Sequence, residues 1–292
     1  MYDVCLIGHV VRDLNSIGGA DLPPRPGGAA YYATMVYRRL GLRTAVVTRV
    51  AAPDEDLLLS ELRTAGVEVI NLPIGHSTTF RNIYLPDDVR IQRVDQVAAP
   101  IALSDIPELD ARIWQLGPLT DRDLDPLILA RGAPPGSALA IDVQGLTRTL
   151  VDGEVRPAAP AASLEHLRNV EVLKADDGEI LTHTGARSVD AAASRVRAAG
   201  VREALITLAS RGAMIYAGGP RLDIAAVPPR RKVDLTGCGD TFLAAYMARR
   251  LGSDDVRECA EFAAVAAAIN IESYGAFQGS LEEIAARRAA RA

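Results

Sequence analysis

Short apolar runs of four to seven residues alternate along the chain with stretches whose apolar positions recur at helical spacing. The runs at 4–8, 44–50, 113–116, 138–143, 170–173 and 204–208 read as buried strands. Between them, 29–40, 55–65, 123–131, 177–182 and 189–199 read as helices. Gly41, Gly66 and Gly200 each follow one of these helices directly, as C-terminal caps do. Strand–helix alternation predicts an α/β fold with a mostly parallel sheet. In such sheets ligands bind beyond the carboxyl ends of the strands. The end of the first strand (8–13), the loop at 142–148 and a glycine-rich turn near 237 are therefore expected to converge.

One stretch breaks the alternation. Segments 77–85 and 89–94 flank Pro86-Asp87-Asp88, a hairpin signature. With residues 16–26 it is expected to form a small sheet projecting from the body as a lid; the alternative is a surface hairpin with no part in closure. The expected organisation is one domain over 1–292, with a β lid from about 14–26 and 77–97. The tail, 281–292, reads as a terminal helix, and 262–271 as a buried one.

Composition narrows the class. The 292 residues are 49% hydrophobic and 24% charged, ordinary for a globular protein. A net charge of −5 disfavours a general nucleic-acid binder. No apolar run approaches the ~20 residues of a membrane span. Three cysteines, Cys5, Cys238 and Cys259, offer neither a disulfide framework nor zinc spacing, so a cytoplasmic setting is expected.

The chemistry concentrates in Asp234-Leu235-Thr236-Gly237-Cys238-Gly239-Asp240-Thr241-Phe242, a glycine turn feeding a helix. Backbone N–H groups at a helix N-terminus lack partners and favour an anion. Asp240 inside such a site is electrostatically odd. A cap is the ordinary explanation; a base that deprotonates a hydroxyl attacking a phosphate is the functional one. Cys238 is either a thiol acidified by the helix N-terminus or a small residue that fits the turn. No G-x-x-x-x-G-K-[ST] motif and no complete G-x-G-x-x-G fingerprint occurs, so phosphate handling rests on residues 237–240.

This nine-residue run resembles the C-terminal signature of the ribokinase-like (PfkB) carbohydrate kinases. Pro26-Gly27-Gly28 before a helix resembles their N-terminal glycine signature. The stretches 8–13, 28–32, 141–148 and 173–179 are similar to the myo-inositol kinase branch, above all the Asp142–Gln144–Arg148 spacing. The resemblance spans essentially the whole chain. It implies a three-layer α/β/α fold with a small β lid, and ATP-dependent, Mg²⁺-assisted phosphorylation of a small polyol, myo-inositol first. It implies Asp240 as catalytic base and Gly237, Cys238 and Gly239 as the anion hole. It places Asp13, Gly28, Asp142, Gln144 and Arg148 on the substrate; the alternatives for Arg148 are neutralising phosphate and a structural Arg–Asp pair within its loop. Asp176 and Glu179 stand where the family positions Mg²⁺, with Asp in place of the family's Asn at 176. Thr207, Gly212 and Asn270 would serve the nucleotide, Ala209 replacing a family glycine beside them. The implied partners are a small polyol or sugar and a nucleotide, with no nucleic acid and no membrane; a homodimer is allowed. The competing readings are another acceptor (ribose, a nucleoside, a sugar acid, a sugar phosphate) and a non-catalytic polyol or nucleotide sensor.

Overall fold

A strand that is apolar on both faces needs cover on both sides, and the runs above receive it. The computed structural model describes residues 1–85, 90–158 and 164–291. In chain order its strands are β1 (Tyr2–Ile7), β2 (Val11–Ile17), β3 (Ala20–Asp21), β4 (Arg25–Gly27), β5 (Thr44–Thr48), β6 (Glu68–Asn71), β7 (Thr79–Tyr84), β8 (Arg90–Gln96), β9 (Ala111–Leu116), β10 (Ala138–Asp142), β11 (Arg148–Val151), β12 (Glu154–Pro157), β13 (Val172–Asp176), β14 (Glu203–Thr207), β15 (Ala213–Tyr216) and β16 (Leu222–Ile224). Its α-helices are α1 (Ala29–Arg39), α2 (Glu55–Thr64), α3 (Leu127–Arg131), α4 (Asp177–Thr184), α5 (Val189–Ala198), α6 (Cys238–Arg250), α7 (Val256–Asn270) and α8 (Leu281–Ala289).

The main sheet runs β16-β15-β14-β13-β10-β9-β1-β5-β6. From β14 to β6 every pairing is parallel, and β15 and β16 add an antiparallel edge. Successive residues of a strand enter opposite cores. Val4 and Leu6 pack into the cluster that holds α1, α6 and α7, whereas Cys5 and Ile7 join the one that holds α3, α4 and α5. This is the expected three-layer α/β/α fold. Gly41, Gly66 and Gly200 have positive φ (83°, 77° and 117°) just past α1, α2 and α5, as the capping pattern predicts. One helix is shorter than expected: α3 begins at Leu127, not Asp123. Asp123 is buried, and its carboxylate accepts from the Leu119 and Thr120 backbone N–H groups and the Thr120 hydroxyl, which holds a turn in place of a helix.

The irregular stretch forms a second sheet, β11-β12-β8-β7-β2-β3, with β4 also paired to β2. The expected hairpin pairs Ile83 with Ile91 and Tyr84 with Arg90. Its turn, Pro86-Asp87-Asp88, and Val89 lie outside the described residues, as does Ala292 of the tail. This sheet extends beyond 14–26 and 77–97. The β11–β12 hairpin joins it through Glu154 opposite Arg93. Its turn residues, Asp152 and Gly153, both have positive φ (52° and 76°), the geometry an Asp-Gly hairpin turn requires. Asp13 therefore sits within β2 of the second sheet, not in a loop at the end of β1. Val11, Phe80 and Val94 of this sheet pack on Ala29 and Leu119, which fixes the sheet over the N-terminus of α1. Among the described residues no helix is long and apolar enough to cross a membrane.

Candidate active site

Gly237 turns the chain into α6. Its φ of 75° is left-handed, and a Cβ there would lie 2.6 Å from the Tyr32 ring, so glycine is required twice over. The first bond back to Gly237 O comes from the Thr241 N–H, at 2.8 Å. The amides of Gly237 and Gly239 thus precede the intrahelical ladder and are available to an anion, in the favourable field of the helix N-terminus, whereas the Cys238 N–H makes a long bond of 3.4 Å to Leu235 O. Asp240 is the third residue of α6.

Behind this turn lies a buried charge cluster. Lys174 on β13 donates to Asp142 Oδ2 at 2.8 Å and stands 3.9 Å from Glu179 Oε2. Arg148 donates to Glu179 Oε1 at 3.0 Å. A Cβ on residue 239 would come within 2.7 Å of Lys174 Nζ, so Gly239 lets the ammonium lie close under the helix start. Burial works against the Lys174 charge, but the Asp142 and Glu179 carboxylates outweigh it and raise its pKa. Burial also opposes ionisation of Glu179, and there Lys174 and Arg148 win and hold the pKa below its usual range. Asp240 is different. Burial first and the Asp142 carboxylate second push it up to about 7, with Lys174 pulling the other way. A carboxyl poised near neutrality can exchange a proton with a hydroxyl. Cys238 shows no acidified thiol: burial pushes it up to about 11, so it serves the turn as a small neutral side chain.

An open cleft of about 500 Å³, its mouth included, lies before Asp240. Asp13, Gly28, Gln144, Arg148 and Gly237 line it with Asp240. Six residues from four separate stretches of the chain therefore meet at the carboxyl ends of the main sheet. Asp142 stands behind this wall, bonded to Lys174 and accepting from the Gln144 N–H at 3.1 Å. Sequence reasoning missed Lys174, Tyr32, Phe80, Asn82, Gln92 and Leu119 as site residues; all but Lys174 line the cleft. Period two offers a signal for part of this: Phe80 and Asn82 share one face of β7, and Gln92 and Val94 one face of β8. Gln92 Nε2 donates to Asn82 Oδ1 at 3.0 Å, which joins the two amides.

The remaining candidates are engaged in local structure. Asp176 and Glu179 cap α4 reciprocally, Asp176 Oδ1 accepting from the Glu179 N–H at 2.6 Å and Glu179 Oε2 from the Asp176 N–H at 2.8 Å. Among the described residues no three acidic, histidine or cysteine side chains form a metal-binding group. This donor set fits an Mg²⁺ carried by donor phosphates and its own waters, with Asp176 as an outer contact, and it does not fit chelation by protein alone. The Thr207 hydroxyl donates to Ala175 O at 3.3 Å. Gly212 is held by packing: a Cβ there would come within 2.0 Å of Ile224 O. Asn270 is fully buried, and its Nδ2 donates to Thr236 O at 3.0 Å, which secures the turn before α6.

A family model described as pfkB family carbohydrate kinase matches residues 138–283, half of the chain. A cytidine kinase of Thermococcus kodakarensis is 28% identical over 275 residues, 89% of this chain and 92% of that protein. Among solved structures, a pyrophosphate-dependent kinase in the ribokinase family, complexed with a pyrophosphate analog and myo-inositol, superposes with a TM-score of 0.85 at 23% identity, covering 97% of this chain and 99% of that one. Arabidopsis thaliana ribokinase complexed with ribose and ATP does so with a TM-score of 0.75 at 18% identity, covering 98% of each chain.

Proposed function

The chain belongs to the PfkB family of carbohydrate kinases and is a phosphotransferase, and from that premise we propose that it moves the terminal phosphoryl group of ATP to a hydroxyl of a small polyol, myo-inositol first among them. The observation that carries this reading is the position of Asp240: a half-buried carboxyl at the first turn of a helix, lining the same cleft as Asp13, Gln144 and Arg148, where desolvation pushes it up to about 7.

In the mechanism we propose, Asp13 accepts hydrogen bonds from acceptor hydroxyls, which a carboxylate does with charge assistance. The amides of Gln144, Asn82 and Gln92 supply donors and acceptors around a ring that carries hydroxyls on many carbons. Asp240 takes the proton as the hydroxyl oxygen attacks the terminal phosphorus in line. The amides of Gly237, Cys238 and Gly239 receive the charge that spreads over the phosphoryl oxygens. Arg148, on the cleft wall, adds positive charge to that side. Mg²⁺, when carried in with the donor, adds charge neutralisation at the phosphates. Thr207, Gly212 and Asn270 support the donor side through the structure they hold.

A nucleoside acceptor is the second reading, favoured by the near full-length similarity to a cytidine kinase. Pyrophosphate is the competing donor, favoured by the fold likeness to a pyrophosphate-dependent kinase. One assay separates these. Purified protein is offered ATP or pyrophosphate with Mg²⁺ against myo-inositol, other inositols, ribose and cytidine, and the products are identified by NMR. The polyol reading expects the highest kcat/KM for an inositol. A clear preference for cytidine or ribose would overturn it, and donor binding without transfer to any acceptor would favour a sensor.

A further inference from the structure

We propose that Arg25 is a positioning residue for phosphoryl transfer: carried in on the second sheet, its guanidinium holds the turn that presents the amides of Gly237, Cys238 and Gly239. The inference rests on reading that turn as the anion hole.

The guanidinium and its target are both largely shielded from water. Arg25 NH1 lies 3.1 Å from Asp234 Oδ2, with side-chain exposures of 12% and 9%. The guanidinium stacks on Tyr274 at 4.0 Å from the ring centre. With the Asn15 amide oriented oxygen-first, Arg25 Nε also donates to it at 2.9 Å. Arg25 is thus fixed by three groups, and a fixed cation orients its carboxylate. Asp234 Oδ1 accepts from the Thr236 N–H at 2.9 Å, and Asn270 holds the other end of that residue at Thr236 O. Gly237 follows at once and starts α6. A second tie comes from the same sheet, where the Tyr84 hydroxyl stands 3.3 Å from Thr236 Oγ1. β4 pairs with β2, placing Arg25 opposite Asp13 in register. One strand pair therefore carries Asp13, the carboxylate proposed to bind the acceptor, and the clasp on the anion hole. Shifts of about 1 Å in such groups cost on the order of 10²-fold in rate, so the clasp belongs to turnover more than to binding of the acceptor.

The test uses Arg25→Ala, Arg25→Lys and Asp234→Asn, each checked for a cooperative melt. Arg25→Ala is expected to lose roughly 30- to 100-fold in kcat while the acceptor KM stays within about threefold. Millimolar guanidinium is expected to restore about tenfold of that loss in Arg25→Ala and nothing in Asp234→Asn. Arg25→Lys, which keeps the charge without the fork, should fall between. A kcat within about twofold of wild type, a loss confined to acceptor KM, or a folded variant that guanidinium does not rescue each overturns the proposal. An arm without acceptor measures Mg²⁺-pyrophosphate and Mg²⁺-ATP binding by calorimetry. The tighter of the two should weaken about tenfold in Arg25→Ala, and equally in the Arg25→Ala, Asp234→Asn double variant, which keeps the wild-type net charge. Recovery in the double variant would reduce the effect to charge and sink the clasp. A wild type that binds neither anion refutes the anion-hole reading itself, whereas equal binding by wild type and Arg25→Ala refutes only the role of Arg25.

Discussion

Asp240 has a cost that its chemistry explains. Its pKa rises from the unfolded value near 4 to about 7 because burial and the Asp142 carboxylate oppose its charge. A carboxyl raised in the folded state binds more protons there than when unfolded, so stability falls as pH rises from about 4 through about 7. Asp240→Asn removes that penalty. At pH 8 it should melt at or above the wild-type temperature, and the difference should shrink as pH falls below 7. Turnover should meanwhile drop by ~10²–10⁴, the usual scale of general-base catalysis. Near wild-type turnover would take Asp240 out of the mechanism. In the wild type, kcat/KM should fall on the acid side with an apparent pKa near 7. Lys174 pulls that value down, so Lys174→Met should move the acid limb to higher pH. Because it strands buried carboxylates, it should also cost about 3–5 kcal/mol in a denaturant titration. An acid limb that stays in place would show that Lys174 does not tune the base.

At the scale of elements, Gly212 carries the clearest structural demand. It links Ala209, itself at a φ of 52°, to β15, and it has a φ of 94° with the Ile224 carbonyl where a Cβ would go. Gly212→Ala should destabilise by at least about 2 kcal/mol, read as a lower urea midpoint with an unchanged slope. An unchanged midpoint would mean the β14–β15 connection yields easily. The buried strands and most helices were legible because their periods are local properties. β6, β11, β12, β15 and β16 were not read as strands. β16 is only three residues long, too short for alternation to declare itself. β11–β12 did carry a signal, the Asp152-Gly153 turn, between strands whose charged residues masked the pattern. α3 was over-read because the role of Asp123 depends on Leu119 and Thr120 folding around it.

At the scale of the molecule, two sheets meet over one cleft, and binding should be felt by the whole fold. A saturating acceptor, at about 100 times its Kd, should stabilise the protein by about 2.7 kcal/mol through mass action alone. This is expected in wild type and in Asp240→Asn alike, because the variant keeps the cleft and loses only the proton acceptor. Thermal melts with and without acceptor check it. Stabilisation in wild type only would tie Asp240 to binding and not to the transfer step. The second sheet contributes Asp13, Phe80, Asn82 and Gln92 to that cleft, so closing it over a ligand is the motion that we propose for this sheet.

The order of apolar runs and glycine breaks settles the layered architecture, because each strand's two buried faces and each helix's single stripe are written within a few residues. The nine-residue glycine run likewise declares a helix start of the kind that favours an anion, with a carboxylate inside it. Tertiary structure alone brings Lys174 beneath Gly239, leaves Asp142 behind the cleft wall and pairs Arg148 with Glu179. It also sends Arg25 across 209 positions to Asp234. Those outcomes depend on distances between segments remote in the chain and on the water excluded between them, and neither quantity is a property of any local stretch of residues.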